Sequence, residues 1–357
     1  MVSSSYSDAF HFNRNALKLA REFRGQKKNE LAERVGVSPS AITQFENGVV
    51  KPSPSKVAEI SLALGFPRSF FRQDFAEGFI DSELCHFRSL RSSSQIERRK
   101  MVGAGTVISS ILALLESRGI ILPKENVSGS HVDNVYCWDD IEEAAACLRR
   151  DWGLGQGPIE NLIDLLEGNG IVVARLLEDC KSLDAFSTWQ KDRPFIFLNT
   201  EKGSPSRSRF DAAHELGHLI LHAECLPGDK HHEDEANRFA SAFLLPKETF
   251  VKECPRRLIW DHFLELKERW KVSLAALIRR ARDLNLISED TYKRGNVMRN
   301  KFGWRTDEPN EPLMEYPSIL KQGVELLIND GYSISEMAAD SHISELDFRN
   351  LLLLEPR

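Results

Sequence analysis

Hydrophobic residues recur at helical spacing along most of the chain, and strand-like patterns are confined to one region near its middle. In the first 72 residues, apolar positions three or four apart indicate four short helices, over 13–24, 28–34, 39–46 and 54–64. Further helices are expected at 101–116, 141–152 and 159–167. Runs rich in β-branched and aromatic residues predict strands at 171–176, 184–189 and 194–199. The pattern predicts a mainly α protein with a small β-sheet, in the α+β class.

This pattern divides the chain into four segments. A helical domain is expected at 11–72, followed by a helical connector at 73–135 and a mixed α/β domain at 136–285. The remainder, 286–357, is again helical. A length of 357 residues agrees with more than one domain, because a typical domain has about 100–200 residues.

The second and third helices show the pattern of a helix-turn-helix. Gly36 can adopt a positive φ and supplies the turn between them. Ser38 followed by Pro39 gives an N-cap and a first helical residue with a suitable fixed φ. The outward positions of the third helix are Ser40, Thr43 and Gln44. In such a motif, the second helix enters the major groove of DNA.

Charge is distributed unevenly along the chain. The net charge is −6, but residues 11–72 contain eleven Lys or Arg against five Asp or Glu. The other residues therefore carry a net charge of −12. A basic segment attached to an acidic body indicates a nucleic-acid-binding domain on a larger protein.

The N-terminal domain resembles the XRE/lambda-repressor-like helix-turn-helix family. The resemblance lies in Asn29-Glu30-Leu31-Ala32, in Gly36-Val37-Ser38, and in Ile42-Thr43-Gln44-Phe45-Glu46-Asn47-Gly48. The sequence departs at Lys27-Lys28, where the family often has Gln. The resemblance implies double-stranded operator DNA as a partner, bound by a homodimer that contacts two half-sites. A helical protein-interaction module is the alternative.

The expected DNA contacts fall into two classes. Ser40, Thr43 and Gln44 are expected to contact base edges, and the capping residue Ser38 is counted with them. The expected phosphate ligands are Lys27, Lys28 and Lys51.

The sequence His214-Glu215-Leu216-Gly217-His218 has the spacing of a metal-dependent hydrolase. Residues four apart lie on one face of a helix, so both histidines can bind one metal ion. Glu215 can then act as general base on a water bound to that ion. Two structural histidines on a helix are the alternative, but the surrounding stretch is strongly apolar and disfavours unpartnered polar groups. Zinc is the expected metal, although manganese also suits these ligands.

A third metal ligand is expected on the following helix, over 233–245. Glu233 is favoured because Asn237, four residues later on the same face, can form a hydrogen bond with a ligand imidazole. Glu235 points roughly the opposite way. Other candidates for the third ligand are His222, His231 and His232.

Residues 140–285 resemble the ImmA/IrrE-type metallopeptidases. The resemblance lies in Arg209–His222, in Glu233-x-x-Ala236-Asn237-x-Phe239-Ala240, and in Asp184-Ala185-Phe186-Ser187. It implies a minimal zincin-like domain with zinc held by His214, His218 and Glu233, and Glu215 as the base. Members of this family cut repressors that control phage, mobile-element or stress genes. Because a DNA-binding module is fused here, the expected substrate is a partner protein or this chain's own linker.

The C-terminal segment shows a weaker pattern. Residues 301–306 and the Pro- and Glu-rich stretch at 307–317 are expected to form a linker. Residues 332–354 could form a second helix-turn-helix, but their acidic residues would repel phosphate. We therefore interpret 286–357 as a packing, oligomerisation or sensing domain.

The sequence gives no sign of secretion or membrane insertion. It lacks an apolar run of the roughly 18 residues that span a bilayer, and its polar start is not expected to be a signal peptide. Its six scattered cysteines suggest neither a disulfide framework nor a zinc ribbon. The expected protein is a cytoplasmic, DNA-binding transcriptional regulator with a zinc endopeptidase domain. The alternative is a repressor or antitoxin-like regulator whose zincin domain is a non-catalytic sensor or scaffold.

Overall fold

The structure is a computed structural model that describes 11–73, 80, 85–87, 94–127, 137–176, 184–199, 204–223, 225 and 228–354. Its helices are α1 (Arg14–Phe23), α2 (Lys28–Arg34), α3 (Pro39–Asn47), α4 (Pro54–Leu64), α5 (Gln95–Ser117), α6 (Trp138–Asp151), α7 (Leu162–Gly168), α8 (Pro205–Leu221), α9 (Lys230–Leu244), α10 (Lys247–Glu253), α11 (Trp260–Trp270), α12 (Leu274–Asp283), α13 (Glu289–Lys301), α14 (Ile319–Asn329), α15 (Ile334–Asp340) and α16 (Glu345–Leu351). The strands are β1 (His86–Phe87), β2 (Val172–Leu176), β3 (Ala185–Gln190) and β4 (Arg193–Asn199). The prediction of a mainly α fold with a small sheet is confirmed.

The chain forms two compact units. The first comprises the described parts of 1–82, 94–120 and 320–357, and the second those of 83–93 and 121–319. The sequence-based segments 73–135 and 286–357 are therefore each divided between the two units.

In the first unit, α1 to α4 form the expected helix-turn-helix domain. The Ser38 side chain accepts a hydrogen bond from the backbone N–H of Ala41, and Pro39 begins α3, as predicted. Gly36 has a φ of +62°, which explains why glycine occupies the turn. The apolar core of this domain includes Leu17, Ala20, Phe23, Leu31, Ile42 and Val57.

Helix α5 packs closely on α1. A Cβ atom at Gly103 would lie 2.9 Å from the backbone nitrogen of Phe23, so only glycine permits this approach. Among the described residues, α5 is the one helix with the length and apolar composition to cross a membrane. Its apolar residues are mostly buried in the first unit, which is the environment of a core helix.

The C-terminal helices α14 to α16 also belong to the first unit. Gly323 lies against Leu115, because a Cβ atom at this glycine would be 3.2 Å from Leu115 Cδ1. Arg24 binds Asp347 through two hydrogen bonds of 2.7 and 2.6 Å. One of the acidic residues that made a second DNA-binding motif improbable by sequence is thus used in packing.

The second unit contains the sheet, in the order β1-β3-β4-β2. Strands β3 and β4 form an antiparallel hairpin, whereas β2 is parallel to β4. Helix α8 packs against β3, β4 and α9. Buried Arg149 donates hydrogen bonds to the backbone oxygens of Gly155, Gly157 and Phe243 and so ties α6 and the loop that follows it to α9.

The edge of β3 is occupied at two residues. Strand β1 pairs with β3 in antiparallel register, His86 with Ser187 and Phe87 with Phe186. Strand β1 belongs to the segment 83–93, which lies in sequence between the first two parts of the first unit.

Residues 307–317 are not a free linker, contrary to expectation. Three glutamates attach this segment to the second unit, each at the first turn of a helix. Glu308 accepts from the backbone N–H of Leu274 at 2.8 Å, and Glu311 from that of Ser206 at 3.0 Å. Glu315 accepts from Leu162 at 3.1 Å and pairs with buried Arg209. Helix N-termini and buried cations both stabilise carboxylates, which explains why an acidic segment lies here.

Candidate metal centre and DNA-binding surface

The structure brings His214, His218 and Glu233 together. The Nε2 atoms of the two histidines are 3.1 Å apart, and carboxylate oxygens of Glu233 lie 3.5 and 3.4 Å from them. Ligand atoms on a tetrahedral zinc ion, each at about 2.0–2.1 Å from it, would be about 3.3 Å apart. The three side chains therefore fit a zinc ion, and they are the residues that would hold it.

Helix α8 supplies both histidines and buries them completely, whereas α9 supplies Glu233, whose side chain is 31% exposed. Gly217 makes the approach of the two helices possible, because a Cβ there would meet the Cα of Ala236 at 3.2 Å. The close packing of α8 on α9 thus brings the three ligands to one partly open position.

Asn237 fixes the proton on His214. Its Nδ2 group donates to the backbone oxygen of Glu233 at 2.7 Å, so its Oδ1 atom is the one that faces His214 Nδ1, at 3.2 Å. An amide oxygen can only accept, which places the imidazole proton on Nδ1 and leaves Nε2 free to bind a metal. Asn237 thus has the geometry expected from the sequence.

His218 has a longer chain of partners. Its Nδ1 atom lies 3.0 Å from Nδ1 of His222, and Nε2 of His222 lies 2.9 Å from Oε2 of Glu235. Of the alternative third ligands, His222 and Glu235 therefore lie behind His218 and not beside Glu233. His231 contacts the other oxygen of Glu235 at 3.0 Å, and the ring of His232 lies 4.4 Å from that of His222.

Glu215 is completely buried beside the ligands. The hydroxyl of Ser187 on β3 donates to its Oε2 atom at 2.7 Å. The sequence did not reveal this contact, because the two residues are 28 positions apart. The only sequence signal was that Ser187 lies in the stretch 184–187, which resembles the metallopeptidase family.

The charges of the centre suit metal binding at neutral pH. Burial lowers the pKa of His218 to about 4, so this imidazole is neutral and keeps a lone pair. Burial of Glu233 would raise its pKa, but its hydrogen bonds with His214 and His218 outweigh this effect and lower the pKa. At neutral pH, His218 is therefore a neutral imidazole and Glu233 an ionised carboxylate.

The seven expected DNA contacts lie around α2 and α3. Ser40, Gln44, Lys27 and Lys51 are exposed, and Thr43 is half-buried with its hydroxyl bonded to the oxygen of Pro39. Ser38 caps α3 through its side chain. Lys28 is half-buried and lies 3.3 Å from Glu46, which also binds Arg21. Lys28 is thus already paired within the domain, whereas Lys27 and Lys51 are presented to solvent.

Comparisons with known protein families match the two regions of the chain that contain these residues. Residues 17–71 match the helix-turn-helix family, and residues 166–282 match the IrrE N-terminal-like domain of the M78 peptidases. No curated protein sequence matches the chain. The first match supports a DNA-binding regulator, and the second a metal-dependent, peptidase-like domain. The chain thus joins a segment that matches the XRE-type helix-turn-helix family to a segment that matches the ImmA/IrrE-like M78 family.

Proposed function

We propose that this protein is a transcriptional regulator that binds operator DNA and cleaves a protein with a zinc-dependent endopeptidase site. The cleaved protein is a repressor or other partner that controls a phage, toxin–antitoxin or stress-response locus. The convergence of His214, His218 and Glu233 beside buried Glu215 is the observation that carries the proposal. A DNA-bound regulator acts in the cytoplasm, and a homodimer would contact two half-sites.

The chain's own residues divide the peptidase chemistry among them. Zinc, when bound, supplies a Lewis acid that lowers the pKa of a water molecule and polarises the scissile carbonyl. Glu215 takes the proton from the attacking water and passes it to the leaving amine. Ser187 holds one carboxylate oxygen of Glu215, so that the other can face the water. Asn237 and His222 orient the two ligand imidazoles.

The β3 edge supports an extended peptide as substrate. Ser187 both contacts Glu215 and pairs with residue 86 of β1, so a chain added to this edge runs beside the catalytic base. Backbone pairing with a sheet edge is a common way to bind an extended peptide. In this arrangement, a substrate strand must displace residues 86 and 87 from the edge of β3. Alternatively, the segment that contains these two residues is itself the substrate.

The experiment that tests the enzyme is a comparison of wild type with Glu215→Gln, using candidate repressors encoded beside the gene. The zinc-loaded wild type should cut its target, whereas the variant should bind zinc and DNA but not cut. Incubation of the wild type alone, followed by mass spectrometry, tests cleavage of its own segment 81–93. If Glu215→Gln regulates normally in cells, the second unit is a non-catalytic sensor or scaffold.

A further inference from the structure

A second cluster of two histidines and one glutamate lies next to the metal centre. We name His214, His218 and Glu233 the inner cluster, and His222, His232 and Glu235 the outer cluster. Each outer residue offers a ligand atom within 4.8 Å of the others. Both clusters take their residues from α8, or the position just after it, and from α9. Two imidazoles and a carboxylate are ligands that suit zinc.

The outer cluster retains capacity to bind a ligand. Nδ1 of His232 is buried, and it has no hydrogen-bond partner within the part of the chain that the structure describes. A buried polar atom in this state is costly, and a bound ion would satisfy it. His222 is only 2% exposed and Glu235 only 5%, which would favour ion binding over solvation. His231 is exposed and shares Glu235, so it competes with an ion for that carboxylate.

One hydrogen bond connects the two clusters, between Nδ1 of His218 and Nδ1 of His222. A neutral imidazole carries one proton, so a metal ion on Nε2 of His218 places the proton on Nδ1. His222 then accepts at Nδ1, and its own proton lies on Nε2, directed at Glu235. In that state, Nε2 of His222 cannot bind an ion.

The opposite arrangement follows when an ion binds Nε2 of His222. The proton of His222 then lies on Nδ1 and is donated to His218. His218 must carry its proton on Nε2, which is the atom that faces the inner cluster. With both clusters filled, two N–H groups would face each other across 3.0 Å.

We propose that the outer cluster is a second divalent-cation site of lower affinity, and that its occupation opposes metal binding at the inner cluster. Its affinity is lower because an ion there must displace the proton of His222 and compete with His231. The mutual weakening is expected in the usual range for coupled sites, about 5- to 150-fold. The proposal does not depend on the peptidase reaction, since it concerns ion binding alone.

Calorimetric titration of the metal-free, full-length protein with ZnCl2 tests it. We expect two binding phases for the wild type. His232→Ala should lose the second phase and keep the first, with an unchanged affinity for zinc. His214→Ala disables the inner cluster and should bind one zinc ion at the outer cluster. That affinity should exceed that of the wild-type second phase by about 5- to 150-fold, because the opposing ion is absent.

His262→Ala provides the matched control, since His262 is an exposed histidine outside both clusters and its loss should leave two phases. His232→Asn replaces His232→Ala if circular dichroism shows that the alanine variant is unfolded. A single phase in the wild type overturns the proposal. The proposal is also overturned if the second phase persists in the folded His232 variant, or if the His214→Ala variant binds no zinc. Because no arm measures proteolysis, these outcomes are separate from failure of the proposed peptidase.

Discussion

The inner and outer clusters use the same residue types on the same pair of helices, yet their surroundings differ. In the inner cluster, Asn237 fixes the proton of His214, and the ligand atoms are spaced for one ion. In the outer cluster, Glu235 is shared with exposed His231, and one nitrogen of His232 has no partner among the described residues. Residue types thus define which ions can bind, whereas the surrounding hydrogen bonds decide which cluster binds first.

The two clusters also differ in access to a catalytic group. Glu215 follows the first inner ligand and is held by Ser187 on the sheet edge. In the outer cluster, as far as the structure describes it, the one carboxylate is Glu235, which is itself a candidate ligand and so not a separate base. Hydrolysis is therefore expected from the inner cluster alone.

Replacement of the base should give the largest effect. Glu215→Gln should lower peptide hydrolysis by about 10²- to 10⁴-fold, because an amide cannot accept the proton of the attacking water. Zinc content should stay at the wild-type value, since Glu215 is not a ligand. The measurement is the cleavage rate of the identified target, with Glu235→Gln as the matched carboxylate change in the outer cluster. Equal losses in both variants would contradict the assignment of Glu215.

Disruption of the hydrogen bonds that link His218 to His222 and Glu235 should have a smaller effect. Glu235→Ala leaves His222 without its acceptor and should weaken zinc binding at the inner cluster by about 10- to 100-fold. Competition with a chelator of known affinity measures this change. His231→Ala is the control, because His231 contacts the same carboxylate from the exposed side. Unchanged affinity in Glu235→Ala would show that His222 alone orients His218.

Glu167, a buried carboxylate that belongs to neither cluster, extends the comparison to the dependence of stability on pH. Burial raises the pKa of Glu167 from 4.5 to about 6, whereas Glu233, beside its histidines, has a lowered pKa. A raised pKa gives stability that is complete below pH 4.5 and is lost as pH rises through about 6. The free energy of unfolding of wild type relative to Glu167→Gln should fall by about 2 kcal/mol from about pH 4 to about pH 7. Urea unfolding at each pH measures it, and a difference independent of pH would contradict the assignment.

The smallest effect is expected on the DNA-binding surface, away from either cluster. Lys51→Ala should weaken binding to all DNA sequences alike and reduce the slope of log K against log salt by about 1. Lys28→Ala should change this slope less, because Lys28 is already paired with Glu46. Titration of labelled DNA at several salt concentrations measures both. Neither value should change when zinc is removed, and a change would mean that metal binding affects the first unit.

The sequence predicted the elements that depend on local spacing. The positions of α1 to α4 and the cap at Ser38 follow from helical periodicity and N-cap chemistry, both of which act within a few residues. The same holds for His214 and His218, since their spacing alone puts them on one face of α8. Glu233 and Asn237 could be chosen together because they too are four residues apart on one helix.

Only the tertiary structure decided which distant residues meet. Ser187 reaches Glu215 because β3 packs on α8, and residues 307–317 bind the second unit because three helix N-termini lie under their glutamates. The placement of α14 to α16 in the first unit depends on contacts such as Arg24 with Asp347, which are 323 positions apart. Local periodicity is set by backbone geometry and is visible in a short window of sequence. Long-range pairs depend on the packing of whole elements, so no window of sequence contains them.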